Sequence, residues 1–131
     1  VKIIKSALAQ FEYKSDILYV KPLEGLFLDK PEMESLLNSA IELTEGKKYF
    51  AIIDTSNDID STKDAREYYA NNELNRFRYA DAFIVSSLPL RMVVNFFIRV
   101  NKPSIPTKMF NSKDSAFEWI NELKKKNLIS Y

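Results

Sequence analysis

The chain has 131 residues, 46% of them hydrophobic and 13% aromatic, with 19 basic against 18 acidic side chains. That length fits one domain over residues 1–131, and the net charge of +1 supplies no global field for drawing in nucleic acid or an acidic membrane. With neither cysteine nor histidine, disulfides, thiolate chemistry, the usual zinc sites and the commonest general base are removed, and a reducing, cytoplasmic location is expected.

Taken in chain order, Lys2 to Tyr13 carries an imperfect alternation, Lys14-Ser15-Asp16 is polar, and Ile17 to Val20 is aromatic and β-branched. An antiparallel hairpin is expected there. A short extended piece around Leu26 to Leu28 follows Gly25. Asp29 then offers an N-cap, with Pro31, Glu32 and Glu34 in the first turn of a helix. Met33, Leu36, Leu37, Ala40 and Ile41 recur at helical spacing until Gly46 stops it.

Tyr49-Phe50-Ala51-Ile52-Ile53 is an unbroken apolar run that ends at Asp54, as a strand buried on both faces reads. A polar loop from Thr55 to Thr62 follows, at the end of the strand where open α/β sheets place their sites. Ser61 is expected to cap a second helix, with Asp64 three residues on; its core residues would be Ala65, Tyr68, Tyr69 and Leu74. Ala82 to Val85 reads as another buried strand, and Ser86 or Ser87 would cap a third helix with Pro89 in its first turn.

In that third helix Leu90, Val93, Val94, Phe97 and Val100 form a core face, Arg91, Asn95 and Arg99 a polar stripe, and Met92, Phe96 and Ile98 the flanks. The same window is too short and too often charged to span a membrane. Asn101 to Pro106 breaks the helix. A last strand, Thr107 to Phe110, leads through Ser112 into a final helix with Ala116, Phe117, Ile120 and Leu123 facing the core and Lys124 to Lys126 at its negative end. The order implies an α/β fold with a mixed sheet and four main helices.

Three groups of residues are candidate sites. Asp54, Asp58 and Asp60 are oxygen ligands in one loop, but a calcium-loop pattern and a glycine-rich cradle are both missing, so neither a metal nor a cofactor is expected. The same carboxylates have no nucleophile or oxyanion glycine beside them, which speaks against an enzyme. Ser61 and Thr62 are either caps alone or a phosphorylation switch with Ser56 and Arg66 in the partner surface, since phosphate at a helix start meets backbone donors. Arg66, Arg76 and Arg78, nearby or further along the same helix, could answer an anionic partner but are expected to be solvated. Tyr68, Met92, Phe96 and Phe97 offer core, a homodimer contact or a slot for a small apolar molecule.

The run IIDTSNDIDSTKDAREYYA, followed by ADAFIVSSLPLRMVVNFFIRVNKPSIPTKMFNSKDSAFEWINEL, resembles the SpoIIAA-like group of small bacterial STAS domains, with CRAL-TRIO lipid carriers as distant relatives. The residues that carry it are Asp54, Ala65-Arg66, Asn95-Phe96-Phe97, Asn101-Lys102-Pro103, Pro106-Thr107-Lys108 with Phe110, and Ala116 to Trp119. The resemblance implies an N-terminal hairpin followed by alternating helices and strands. It also implies a regulatory protein-interaction module whose serine is phosphorylated by a partner kinase. Asp60-Ser61-Thr62-Lys63 stands at the motif's place, with lysine where the family has glycine. The expectation is therefore a non-enzymatic module with an unidentified protein partner, or a carrier of a small apolar ligand.

Overall fold

The structure, a computed structural model, describes residues 2–57 and 59–126. Three strands open the chain: β1 (Lys2–Lys5), β2 (Ala9–Lys14) and β3 (Ile17–Pro22), in an antiparallel meander. The expected single hairpin is thus two, because the Ser6 hydroxyl accepts from the amides of Leu8 and Ala9, both at 3.1 Å, and folds the chain back after Lys5.

Next come β4 (Phe27–Leu28), α1 (Lys30–Leu43), β5 (Tyr49–Asp54), β6 (Asp60–Ser61) and α2 (Lys63–Ala70). They are followed by a 3₁₀ turn (Glu73–Phe77), β7 (Arg78–Ile84), α3 (Leu88–Phe96), a π turn (Phe97–Asn101), β8 (Thr107–Phe110) and α4 (Lys113–Lys125). Asp29 caps α1 in a capping box with Glu32, and Gly46 leaves it at φ +74. Ser87 and Ser112 cap α3 and α4.

The main sheet runs β1-β2-β3-β5-β7-β8, parallel from β3 onward. Every parallel crossover moves in the same direction, so right-handed connections must put α1, α2 and α3 on one face. The opposite face is covered by α4. The alternation of β3 and β5 follows from this: Ile17, Phe50 and Ile52 pack with Ala116 and Ile120 of α4, whereas Leu18, Tyr49 and Ala51 pack with Ala40 and Leu43 of α1.

Strand β7 departs from alternation at one point. Tyr49 pairs with Arg78, but Phe50 pairs with Ala80, so Tyr79 is an extra residue in the ladder. Its ring turns to the α4 face, 4.8 Å from that of Phe50, and Arg78 is left on the opposite face.

Several expected positions are corrected. Ser61 does not cap α2; it belongs to β6, which pairs with β4, and Thr62 is the cap, accepting from the Ala65 amide at 3.1 Å. The β pairing extends the chain one residue further before it can turn. Leu74 lies outside α2, which ends at Ala70 because Asn72 and Asn75 take up the freed carbonyls of Tyr68 and Ala70. Arg78 is buried rather than solvated. In α3 only Val94, followed by Phe97 in the π turn, is buried, while Val93 and Val100 are exposed. A π turn advances less angle per residue, so Val100 no longer follows Phe97 onto the core side.

Candidate functional site

Between the sheet and the layer formed by α1, α2 and α3 lies a cavity of about 160 Å³. The floor is Leu18, Val20, Ala51, Ile53 and Phe83 from three parallel strands, and the roof includes Leu37 and Ala40 of α1 with Leu90, Val94 and Phe97 of the α3 segment. Because β-strand side chains alternate, only the odd positions of β5 reach it. Tyr69, Phe83 and Phe97 close one part as a triangle of rings with centroids 6.0 to 6.3 Å apart. Exposed Asp60 and Val93 are also part of the wall, so the space reaches the surface.

In this apolar setting stands one buried ion pair. Arg78 donates from Nε to Asp81 Oδ1 at 2.8 Å and from Nη2 to Oδ2 at 3.2 Å, with both side chains 1% exposed. The guanidinium lies 4.6 Å from the Tyr69 ring centroid. Burial acts to lower the Arg78 pKa, but the Asp81 carboxylate outweighs it and the pKa is raised, so the side chain stays charged. Burial pushes the hydroxyl of Tyr69 well up, and that of Tyr49 to about 12, so both are neutral phenols beside it.

Among the described residues no well-aligned hydrogen bond reaches Arg78 Nη1, which is closed to solvent and cavity alike, although the Tyr49 hydroxyl stands close enough to hydrogen-bond the guanidinium. A buried donor with no acceptor at all would cost about 1–3 kcal/mol. Arg78 belongs to the cavity wall together with Tyr49 and Tyr69, whereas Asp81 is not among the described residues lining it.

The residues singled out from the sequence are divided by the sheet. Asp54 projects to the α4 face, where it accepts from the Tyr19 hydroxyl and, at 2.9 Å, from the Ser56 amide. Burial works to raise its pKa, but the bonds from Tyr19 and Ser56, with the charge of Lys21, hold it below the ordinary value. Asp60, Ser61 and Arg66 lie on the other side, at the cavity wall. Arg66 Nη1 donates to the carbonyl of Ser61 at 2.5 Å and to its hydroxyl at 3.0 Å. Thr62 donates to Asp29 Oδ1 at 2.7 Å, joining the starts of α1 and α2. Ser56 is exposed, and Asp58 lies outside the described residues.

The second group is divided too. Phe97 lines the cavity; Met92 and Phe96 are exposed on the outer side of the helix, and Tyr68 carries Lys30 Nζ 5.4 Å above its ring. Sequence reasoning missed Arg78, Asp81 and Tyr69 as a cluster. The signal available was an arginine and an aspartate inside Arg78-Tyr79-Ala80-Asp81-Ala82-Phe83-Ile84, an otherwise apolar strand.

A family model described as "Domain of unknown function (DUF7793)" matches residues 11–124. The chain belongs to this family. No curated protein matches this DUF7793 chain. Among solved structures it is similar to an uncharacterized protein of the DUF3478 family with a SpoIIAA-like fold from Shewanella loihica PV-4. The identity is 16%, the match covers 88% of this chain and 98% of that one, and the TM-score is 0.59. The DUF7793 chain therefore has a SpoIIAA-like fold, as the motifs around Asp54, Ala65-Arg66 and Pro106-Thr107-Lys108 lead one to expect. Among its described residues no helix is long and apolar enough to cross a membrane.

Proposed function

We propose that this chain is a non-enzymatic binding module for a small apolar molecule, held between the sheet and helices α1 to α3. The observation that carries the reading is the cavity itself: its walls come from strands, helices and the π turn, are overwhelmingly apolar, and reach the surface beside Asp60 and Val93. Close packing is the rule in protein interiors, so a space of about 160 Å³ forfeits contacts that a ligand would restore. Native mass spectrometry of the protein purified from its own cells tests this. A bound apolar molecule, weakened by Ala51→Leu at the cavity floor, is expected; a protein that carries nothing and takes up no toluene from saturated buffer overturns the reading.

A second reading, contact with a protein, is favoured by the outer side of α3. Leu88, Met92, Phe96 and Val100 recur every four residues and are 69, 65, 56 and 56% exposed. The surface suits a second copy of this chain, because an apolar ridge is self-complementary and a net charge of +1 opposes pairing only weakly. In that role the loop from Asp54 to Arg66 would carry any regulatory phosphate, at Ser61 or Thr62, in a cytoplasmic protein.

A further inference from the structure

We infer that the outer ridge of α3 docks on an anionic lipid bilayer, lying in the plane of the membrane surface with its apolar side chains among the acyl chains and its arginines at the headgroups. The inference is independent of the cavity and of what the cavity holds.

Charge is unevenly placed along the chain around this ridge. The protein has 18 acidic side chains, yet none of residues 82–113 is an aspartate or a glutamate, while Arg91, Arg99, Lys102, Lys108 and Lys113 all fall there. The net charge of +1 therefore conceals a basic segment. Lys113 stands apart, over the Tyr19 ring. The other four belong to α3, the π turn and its end, and β8.

Leu88, Met92, Phe96 and Val100 form the ridge, and Arg91, Asn95 and Arg99 recur with the same spacing one position earlier, so the two rows run side by side. Arg91 donates from Nη2 to the Asn111 side chain just beyond β8, the strand on which Lys108 is exposed. One long edge of the ridge thus carries cations and no carboxylate of its own segment.

Shape and charge together choose the occupant. Large side chains that stand out in a row need a groove cut to receive them in a protein partner, whereas acyl chains close around them unaided. A second copy would bring an equally basic edge and, from its own residues 82–113, no carboxylate to meet it. An anionic bilayer supplies both an apolar layer for the ridge and negative headgroups beside it. Arginine stems lie on the apolar layer while their guanidinium groups reach the headgroups.

Co-sedimentation of the full chain with vesicles tests this, using phosphatidylcholine alone and phosphatidylcholine mixed equally with phosphatidylglycerol. The wild type is expected to bind the mixed vesicles about tenfold or more tighter than the neutral ones, and to lose that advantage as salt is raised. Arg91→Gln with Arg99→Gln should weaken binding to the mixed vesicles about twenty-five-fold, roughly fivefold for each cation. Met92→Ser with Phe96→Ser, at positions 65 and 56% exposed, should weaken it about tenfold or more while leaving the thermal melt near that of the wild type. In anionic bicelles a spin label on the acyl chains should broaden the Leu88 and Met92 methyl resonances of the wild type, which locates the contact without any substitution. No binding to the mixed vesicles, or equal binding to both kinds, would overturn the inference. Binding that survives the serine pair would reduce the contact to charge alone, and binding that survives both pairs would place it elsewhere on the molecule; either result also overturns it. Self-association abolished by the serine pair, with no vesicle binding, would give the ridge to a second copy instead.

Discussion

Arg78 and Asp81 stand three residues apart on one strand and yet share a face, because Tyr79 bulges out of the ladder between them and Phe50 pairs past it with Ala80. In a regular strand positions i and i+3 point to opposite faces. The bulge brings the carboxylate to the guanidinium and at the same time sends the Tyr79 ring to Phe50 on the other side. One inserted residue thus serves both layers of the core.

The pair should be costly to break and cheap to remove. Arg78→Met leaves the Asp81 charge buried and is expected to destabilise the protein by about 3–5 kcal/mol. Arg78→Met combined with Asp81→Leu should recover most of that loss. Urea unfolding of the two variants checks it, and a double variant as unstable as the single one would mean that the two side chains act separately.

Capping at the start of α2 separates two neighbouring hydroxyls. Thr62→Ala removes the bond to the Ala65 amide and the contact with Asp29, and is expected to cost about 1 kcal/mol. Ser61→Ala, which loses only a contact with Arg66, should stay within about 0.5 kcal/mol of the wild type. Thermal melts of the two variants, compared side by side, would expose an error if their order were reversed.

Stability should fall with acid partly through Asp54. Its pKa in the folded protein lies below the ordinary 3.8, so its contribution is fully present above that pH and is lost as pH drops through the folded value. Tyr19→Phe removes the hydroxyl that holds the carboxylate, and burial, which acts to raise the pKa, then has less opposing it. Acid unfolding should begin at a higher pH in that variant. At the alkaline end the sign is opposite: Tyr19 is raised above 10.0 by burial and by its bond to Asp54, so its contribution holds below pH 10.0 and disappears as pH rises through the folded value. Urea midpoints measured across both limbs test the two directions.

Phe96→Asp tests the outer ridge of α3. Phe96 is exposed, so the variant should fold as the wild type does. If the ridge joins two copies, removing this side chain should weaken association by about 2 kcal/mol or more, roughly a thirtyfold change in Kd. Analytical ultracentrifugation over a concentration series reads the change, and identical sedimentation of variant and wild type would exclude the ridge as a self-association surface.

What could be read in advance follows from how local each signal is. The N-cap at Asp29, the stop at Gly46, a serine cap ahead of Pro89 and the entry to the last helix through Ser112 each depend on a few adjacent residues, and all four stand in the structure, with Ser87 rather than Ser86 as the cap. The run ending at Asp54 was legible because a strand covered on both faces must be apolar throughout. The end of α2 was not, since Asn75 holds it by reaching Ser104 at 2.9 Å, far along the chain. Ser61 and Thr62 are indistinguishable as caps until the pairing of β6 with β4 decides between them. The cavity was the least legible feature of all. Its wall draws on residues from Phe11 to Phe97, and no window of sequence contains both sides of it.

The order of the main sheet bears on how the molecule comes into being. From β1 to β8 each strand of that sheet lies beside the one that precedes it in the sheet along the chain, so no strand has to wait for a distant partner to be made. Contacts between near neighbours in sequence close short loops and favour rapid folding. As the chain leaves the ribosome, the sheet can grow strand by strand from its N-terminal edge, each new edge being covered by the next strand in turn. The buried face that α4 protects is completed last, when synthesis reaches the helix carrying Ala116 and Ile120.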